Sequence, residues 1–290
     1  MGRVALHPFE YVAPATLDDA LGLLREHGDE AKVLAGGQSL IPILHYRLAR
    51  PRAVIDINAL PLGDIALEDG RVHLGALVRH HQLEDSDALA RRCPVLAETA
   101  RLIGNVRVRT LGTVGGSLVH ADPAAELPAV MTALDARLNV ASASARRTIA
   151  AREFFTGPLT TVLAPDEIVT GIDAPALDAH GWAVEELSRR AGDFAIVAVV
   201  ALVSLDRRGA IDDARVAFGG VSDRPVHARG AEDVLRGREP TAETLARAAQ
   251  VARDALEPPS DAFVSGAYRR HVAGVLCRRA LTRAVERARR

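Results

Sequence analysis

The sequence predicts an α+β protein built in two lobes, and three observations carry that prediction. Its 290 residues exceed a typical single domain of about 100–200 residues. Helix-period and strand-like runs alternate over residues 1–57, after which the pattern changes to that of a hairpin. An aperiodic, proline-containing stretch, "DAPALDAHG" at 173–181, then precedes three strand-like runs and two closing helices.

The elements follow in order. "TLDDALGLLREHG" places Leu17, Ala20, Leu21 and Leu24 on one helical face, opens with Thr16 and Asp19 in capping-box-like spacing, and stops at Gly28. "AKVLA" reads as a buried strand, "SLIPILHYRLA" as a helix stopped by Pro51, and "AVIDI" as a second strand. Ile65 and Leu67, the turn "EDG", and Val72, Leu74 and Ala76 alternate as in a hairpin. "LAETARLI" is helical in pattern, residues 104–127 are dense in glycine, alanine and turn-formers, and "ARLNVAS" is strand-like. Residues 173–181 are the linker candidate. Beyond them "WAVEEL", "AIVAVVALVSL" and "ARVAFGG" predict a three-stranded antiparallel sheet with "DRRG" as its last turn, and helices are expected at about 241–255 and 268–289.

Composition excludes several function classes. Apolar residues make up 48% and charged residues 25% of the chain, as in ordinary soluble domains. A formal net charge of −1 supplies no general drive toward nucleic acid or an anionic membrane. The C-terminal segment 269–290 is the exception, with eight arginines expected on a solvated helix face and Val272, Val275 and Leu276 turned inward. Cys93 and Cys277 are too few for a disulfide framework or for an iron–sulfur cluster, so redox chemistry in this chain needs another cofactor. The opening "GRVALHPFEYVAP" lacks the apolar core of a secretory signal, and the longest apolar stretch, 195–203, is far short of the roughly 20 residues a membrane helix requires. A cytoplasmic protein with no membrane span is expected. Adjacent His80 and His81 point in different directions, which argues against a metal site and for a solvated surface. No catalytic nucleophile or metal ligand set stands out.

Two loops of one shape do stand out. "VLAGGQSL" at 33–40 and "GTVGGSL" at 112–118 each contain two glycines with a serine close behind, after Gln38 in the first and directly in the second. Glycine permits φ > 0 and close approach of a ligand, and consecutive N–H groups at a strand-to-helix turn form a nest for phosphate. Neither loop is a Walker-type phosphate loop, since no lysine follows the glycines, and neither is a Gly-x-Gly-x-x-Gly fingerprint. On these residues alone the pair reads either as two tight turns or as one extended ligand gripped twice.

The residues after the second loop complete a recognisable pattern. "RTLGTVGGSLVHADPAAELP" at 109–128 resembles the second flavin-binding motif in the medium subunit of molybdenum hydroxylases, the carbon monoxide dehydrogenase and xanthine dehydrogenase family. "AKVLAGGQSLIPILHYRLARP" at 31–51 resembles the first motif and "RRAGDFAIVAVVA" at 189–201 a third. The three lie in the family's order, and the resemblance spans essentially the whole chain. It implies an FAD-binding domain of the vanillyl-alcohol-oxidase (PCMH) type over residues 1–175, with α/β subdomains of about 1–57 and 58–175, and a carbon monoxide dehydrogenase flavoprotein-like domain over 180–290.

The resemblance also implies a site. FAD would lie extended between the subdomains, gripped by Val33, Leu34, Ala35, Gly36, Gly37, Gln38, Ser39 and Leu40 on one side and by Thr113, Val114, Gly115, Gly116 and Ser117 on the other. Each glycine loop would give N–H donors to the pyrophosphate. Ile103 and Val169 match apolar contacts along the cofactor, Asp122 and Glu126 match carboxylates that accept hydrogen bonds from sugar or ribityl hydroxyls, and Phe194 matches a residue beside the isoalloxazine ring. Glu126 stands where the family more often has Asp, Gln38 where it often has His, and Glu185 where some relatives place Lys.

By the same resemblance, partner chains complete the enzyme. A large subunit with molybdopterin oxidises the substrate, a small subunit with two 2Fe-2S clusters relays electrons, and this chain collects them on FAD, the whole being a dimer of heterotrimers. The substrate class stays open among carbon monoxide, an N-heterocycle, a purine and an aldehyde. The absent Gly-x-Gly-x-x-Gly leans toward quinone over NAD as acceptor. Two other readings use the same residues: a stand-alone FAD-dependent oxidoreductase or flavin reductase, and a non-redox docking protein with an empty flavin site.

Overall fold

Strands β1 (Glu10–Val12), β2 (Ala31–Leu34) and β3 (Ala53–Asp56) of the computed structural model, which describes residues 6–290, pair in parallel in the order β1-β3-β2. Parallel neighbours need crossovers, and the first is the Leu17–His27 helix, in which the Asp19 N–H donates to the Thr16 hydroxyl at 3.1 Å and Gly28 ends the run at φ 53°. The second crossover is shorter than predicted. Its helix spans only Leu40–His45, because the chain turns at Tyr46 and Arg47, the latter at φ 58°, well before Pro51.

A five-stranded antiparallel sheet follows. It comprises β4 (Ile65–Glu68), β5 (Arg71–Gly75), β6 (Arg137–Ala141) and β7 (Arg146–Ala150); then, past a two-stranded ribbon of β8 (Phe155–Gly157) and β9 (Thr160–Thr161), β10 (Ile168–Pro175) returns to its centre in the order β4-β5-β10-β6-β7. The stretch 104–127, read as turn-rich, contains two short helices, Val106–Leu111 and Val114–His120, started by the side chains of Asn105 and Thr113. The next helix, Glu126–Ala133, is buried along its whole length.

The last sheet is β11 (His180–Ser188), β12 (Ala195–Leu205), β13 (Ile211–Gly219) and β14 (Val226–His227), all antiparallel. The predicted three strands thus gain a fourth, two residues long, too brief to leave a periodic signal. One face carries the Gly266–Ala288 helix and the other packs on the Glu126–Ala133 helix. Burial on both faces explains why β12 is a continuous apolar run rather than an alternating one. A helix at Arg229–Leu235, which the sequence reading lacked, closes the β13 side.

The predicted linker is shorter and tighter than its composition suggested. Asp173, Ala174 and Pro175 pair in β10, His180 and Gly181 pair in β11, and the residues between are tied down by hydrogen bonds from Ala176 N to Gly70 O and from Leu177 N to Arg92 O, 2.9 and 2.7 Å.

The arginine-rich helix is also less free than expected. Arg269 donates to the carbonyls of Ile196 and Gly220 at 2.6 and 3.0 Å, Arg283 pairs with Glu185 at 2.9 Å, and Arg287 with Glu98 at 2.8 Å. The last of these forms a clasp between the C-terminal sheet and the Pro94–Ala100 helix: Trp182 Nε1 donates to Glu98 at 2.8 Å, and the Arg287 guanidinium lies 4.6 Å from the indole ring centre. No helix among the described residues is long and apolar enough to cross a membrane. Residues 1–5, where the leader-free reading begins, lie outside the described residues.

Candidate cofactor site

A cavity of about 540 Å³ runs between the parallel sheet, the five-stranded sheet and the start of β12. Every predicted site residue lines it except Leu34 and Val114. Leu34 packs its side chain beside Gly37, and Val114 is fully buried in the core, with its N–H bonded to Val78 O.

The two glycine loops meet each other but differ in what they offer. In the first, Gly37 takes φ +70°, Asn58 Nδ2 holds the Ala35 carbonyl at 2.8 Å, and Gln38 Nε2 holds the Gly36 carbonyl at 2.9 Å. The backbone N–H groups of Gly36, Gly37, Gln38 and Ser39 then have no protein acceptor among the described residues. Free N–H groups converging at a helix start favour an anion.

The second loop corrects the expectation that both supply such donors. Thr113 caps the Val114–His120 helix by accepting the Gly116 N–H at 3.0 Å, Gly115 N–H bonds Ala76 O at 2.9 Å, and Ser117 N–H bonds Thr113 O at 3.0 Å. Its amides are spent on its own fold. What remains is a bare glycine surface with the Ser117 hydroxyl. A Cβ on Gly36 would sit 2.3 Å from the Leu111 carbonyl oxygen and one on Gly115 would sit 2.7 Å from Ala76 Cβ, so one glycine of each pair is needed for protein packing.

Two residues that the sequence reading missed join the loops. Arg79 donates one guanidinium nitrogen to Asn58 Oδ1 at 2.6 Å and the other to the Leu111 carbonyl. Since Asn58 also holds Ala35, the pair clasps the first loop to the second motif. Nothing local marks them: Asn58 sits in a turn and Arg79 at the start of the His80–Asp85 helix, and only the fold brings them together. Arg109 does similar work further along, pairing with Glu84 at 2.9 Å and holding the carbonyls of Ile103 and Gly104 at 3.2 and 3.1 Å.

His80, expected at a solvated surface, is 4% exposed and lines the cavity. Burial, together with the charges of Arg109 and Arg79, pushes its pKa down, so the ring is neutral near pH 7. No group of three metal-ligating side chains forms among the described residues. Cys93 and Cys277 are both buried, and burial pushes each thiol up to about 12.

The remaining polar groups are acidic. Asp122 Oδ1 accepts the Ala124 N–H at 2.9 Å and so builds the turn before the Glu126–Ala133 helix. Glu126 is buried, and burial with repulsion from Glu186 and Asp122 pushes its carboxyl up to about 7. Glu185 pairs with Arg283; its neighbour Glu186 lies on the other face of β11, with Trp182 and Val184, and burial pushes it up to about 7. Alternation in "WAVEELS" held that signal, because it puts Glu186 on the apolar face of Trp182 and Val184. Phe194 is 59% exposed and stands on the cavity wall, where the loop before it packs Gly192 against the Gly104 carbonyl.

Comparison with known proteins places this geometry. A family model described as the FAD binding domain in molybdopterin dehydrogenase matches residues 7–177, and one described as the CO dehydrogenase flavoprotein C-terminal domain matches 182–284. The 6-hydroxypseudooxynicotine dehydrogenase complex subunit alpha of Paenarthrobacter nicotinovorans is 37% identical, over 97% of this chain and 96% of the relative. The carbon monoxide dehydrogenase medium chain of Afipia carboxidovorans is 36% identical, over 97% of this chain and 98% of the relative. The solved carbon monoxide dehydrogenase from Hydrogenophaga pseudoflava superposes with a TM-score of 0.95 at 36% identity, covering 98% of this chain and 99% of that one. The chain therefore belongs to the FAD-binding medium subunits of the molybdenum hydroxylases, the carbon monoxide and xanthine dehydrogenase family.

Proposed function

We propose that this chain is the FAD-carrying electron-transfer subunit of a molybdenum hydroxylase, with the cavity between its glycine loops as the flavin site. The observation that carries the reading is the row of free N–H groups at Gly36–Ser39 facing a bare glycine surface across one cavity. The residues fit the group. The amides suit a pyrophosphate, Ile103, Val169 and Phe194 suit an apolar ring system, and Asp122 and Glu126 suit hydroxyls between them. FAD when bound supplies the ability to take electrons singly and release them in pairs. The chain itself binds, orients and shields, and its assigned residues include no acid–base nucleophile. Partners in this reading are a small subunit with 2Fe-2S clusters and a large subunit with molybdopterin, assembled as a dimer of heterotrimers in the cytoplasm, with the chain's own two domains dividing at residues 176–179.

The test is purification of the chain alone. The expected protein is yellow, holds one FAD, and fails to oxidise carbon monoxide, purines or aldehydes with an artificial dye. Robust turnover without partners or molybdenum supports a stand-alone enzyme instead, and a chain that stays colourless after incubation with FAD supports a docking protein.

A further inference from the structure

Asp56 lies outside the cavity lining, yet it braces the residue that holds the first glycine loop. It ends β3, the central strand of the parallel sheet, in register with Leu34 at the end of β2, and the loop starts at the next residue. Its Oδ2 accepts the Tyr11 hydroxyl from β1 at 2.6 Å. Its Oδ1 accepts both the backbone N–H and the side-chain Nδ2 of Asn58, at 2.9 and 2.6 Å. One carboxylate thus joins β1 and β3 to the loop that follows β2.

A carboxylate can only accept, and that fixes which way the Asn58 amide faces. With Nδ2 turned to Asp56, the same nitrogen also donates to the Ala35 carbonyl at 2.8 Å, and Oδ1 is left to accept from Arg79 at 2.6 Å. The opposite sense would set Oδ1 against the Asp56 carboxylate and the Ala35 carbonyl, and Nδ2 against a guanidinium that only donates. Asn58 is exposed, so its partners rather than packing choose between the two senses. The choice reaches the loop through the peptide plane. In a trans peptide the C=O and N–H point opposite ways, so holding the Ala35 carbonyl at Asn58 turns the Gly36 N–H away from it, and that N–H is the first of the four without a protein acceptor. Burial acts to raise the pKa of Asp56, but hydrogen bonds from Tyr11 and Asn58 and the charge of Arg79 bring it below the ordinary carboxylate value, so the acceptor is present at neutral pH.

Taking the cavity as the flavin site, we propose that Asp56 is a positioning residue for the pyrophosphate: it sets the sense of the Asn58 amide and, through Asn58 and Ala35, the direction of the first free N–H of the nest. It acts only through Asn58.

The test is a double-mutant cycle read by titration of apoprotein with FAD. Asp56→Ala is expected to weaken binding about tenfold, as Asn58→Ala does, and the double variant to lose about tenfold rather than about a hundredfold, because members of one hydrogen-bond network do not act additively. Asp56→Asn keeps an acceptor oxygen for Asn58 while Tyr11 accepts from the new amide, so it should bind within about twofold of wild type. Additive losses overturn the proposal. So does a loss in Asp56→Asn as large as that in Asn58→Ala, a comparison that stands even where Asp56→Ala does not fold. A second measurement needs no cofactor. The sequence has three Ala-Gly steps, at 35–36, 191–192 and 273–274, so labelling with carbonyl-13C alanine and 15N glycine leaves three correlated signals in the apoprotein. The 35–36 signal is expected to move alike in Asp56→Ala and Asn58→Ala and to keep its wild-type place in Asp56→Asn; a signal that Asp56→Ala leaves unmoved overturns the relay. Wild-type protein that binds no FAD defeats the flavin reading itself, and the Ala-Gly signals still decide the relay.

Discussion

Phe194 sits directly before β12 and so had a plain role available as the first residue of a buried strand. Its 59% exposure on the cavity wall removes that role. Phe194→Leu keeps most of the apolar volume and deletes the π-face, whose contact with another aromatic is worth about 0.5–1.5 kcal/mol beyond buried area. Folding stability is expected to change by less than about 0.5 kcal/mol, as for substitutions away from the core, while flavin absorbance and midpoint potential shift. Unchanged spectrum and potential, with a lowered melting temperature, would return the residue to the core. At this scale the sequence was legible where chemistry is local and opaque where it is not. Gly37, Gln38 and Ser39 announce a loop by their order. The burial of His80 and the hold of Asn58 on Ala35 depend on residues far away in the chain, and no spacing rule reports them.

The glycine-loop elements touch directly at Gly36 and Leu111, and Asn58 and Arg79 tie them further. Asn58→Ala releases both the Ala35 carbonyl and the Arg79 guanidinium, and Arg79→Ala releases the Leu111 carbonyl. Hydrogen bonds with one charged partner contribute about 1.5–3 kcal/mol, and these are partly exposed. Either variant should therefore weaken FAD binding roughly tenfold, about 1.4 kcal/mol, with little change in the melt of the apoprotein. Titration of apoprotein with FAD decides it, and affinities equal to wild type would mean that the loops hold their spacing unaided. Long periodic elements such as the Leu17–His27 and Gly266–Ala288 helices were legible because each has a repeating apolar face. The helices at Val106–Leu111 and Val114–His120 were not, being two turns or less and held by caps and neighbours rather than by a stripe.

The whole molecule depends on one junction. The C-terminal sheet shares a core with the five-stranded sheet through Val184, Val200, Leu202 and Ala217, and the Trp182–Glu98–Arg287 clasp fixes its edge. This junction also positions Phe194 and Glu186 against the first half of the chain. Arg287→Ala should lower stability by about 1–3 kcal/mol, from hydrogen bonds to a charged group, and should loosen FAD although Arg287 lies outside the cavity lining. Urea melts and FAD titration of the same preparation test both halves of that expectation; loss of stability with unchanged affinity would show that the clasp serves folding alone. The two-lobed plan was legible from the linker's composition, but the clasp was not, since its members lie 84 and 105 residues apart along the chain.

Trp182 is the only tryptophan in the sequence. Its indole N–H meets a carboxylate, and its ring lies under a guanidinium at the place where the two halves of the chain join. Under excitation that selects tryptophan over the three tyrosines, the fluorescence of the chain thus has a single emitter, and that emitter sits on the seam. Its emission maximum becomes an unlabelled strain gauge for the junction: opening the seam hydrates the indole and moves emission to longer wavelength. The same signal can be followed while FAD is added or while partner subunits dock, and it separates a chain that clamps its cofactor as a rigid cleft from one that parts to admit it.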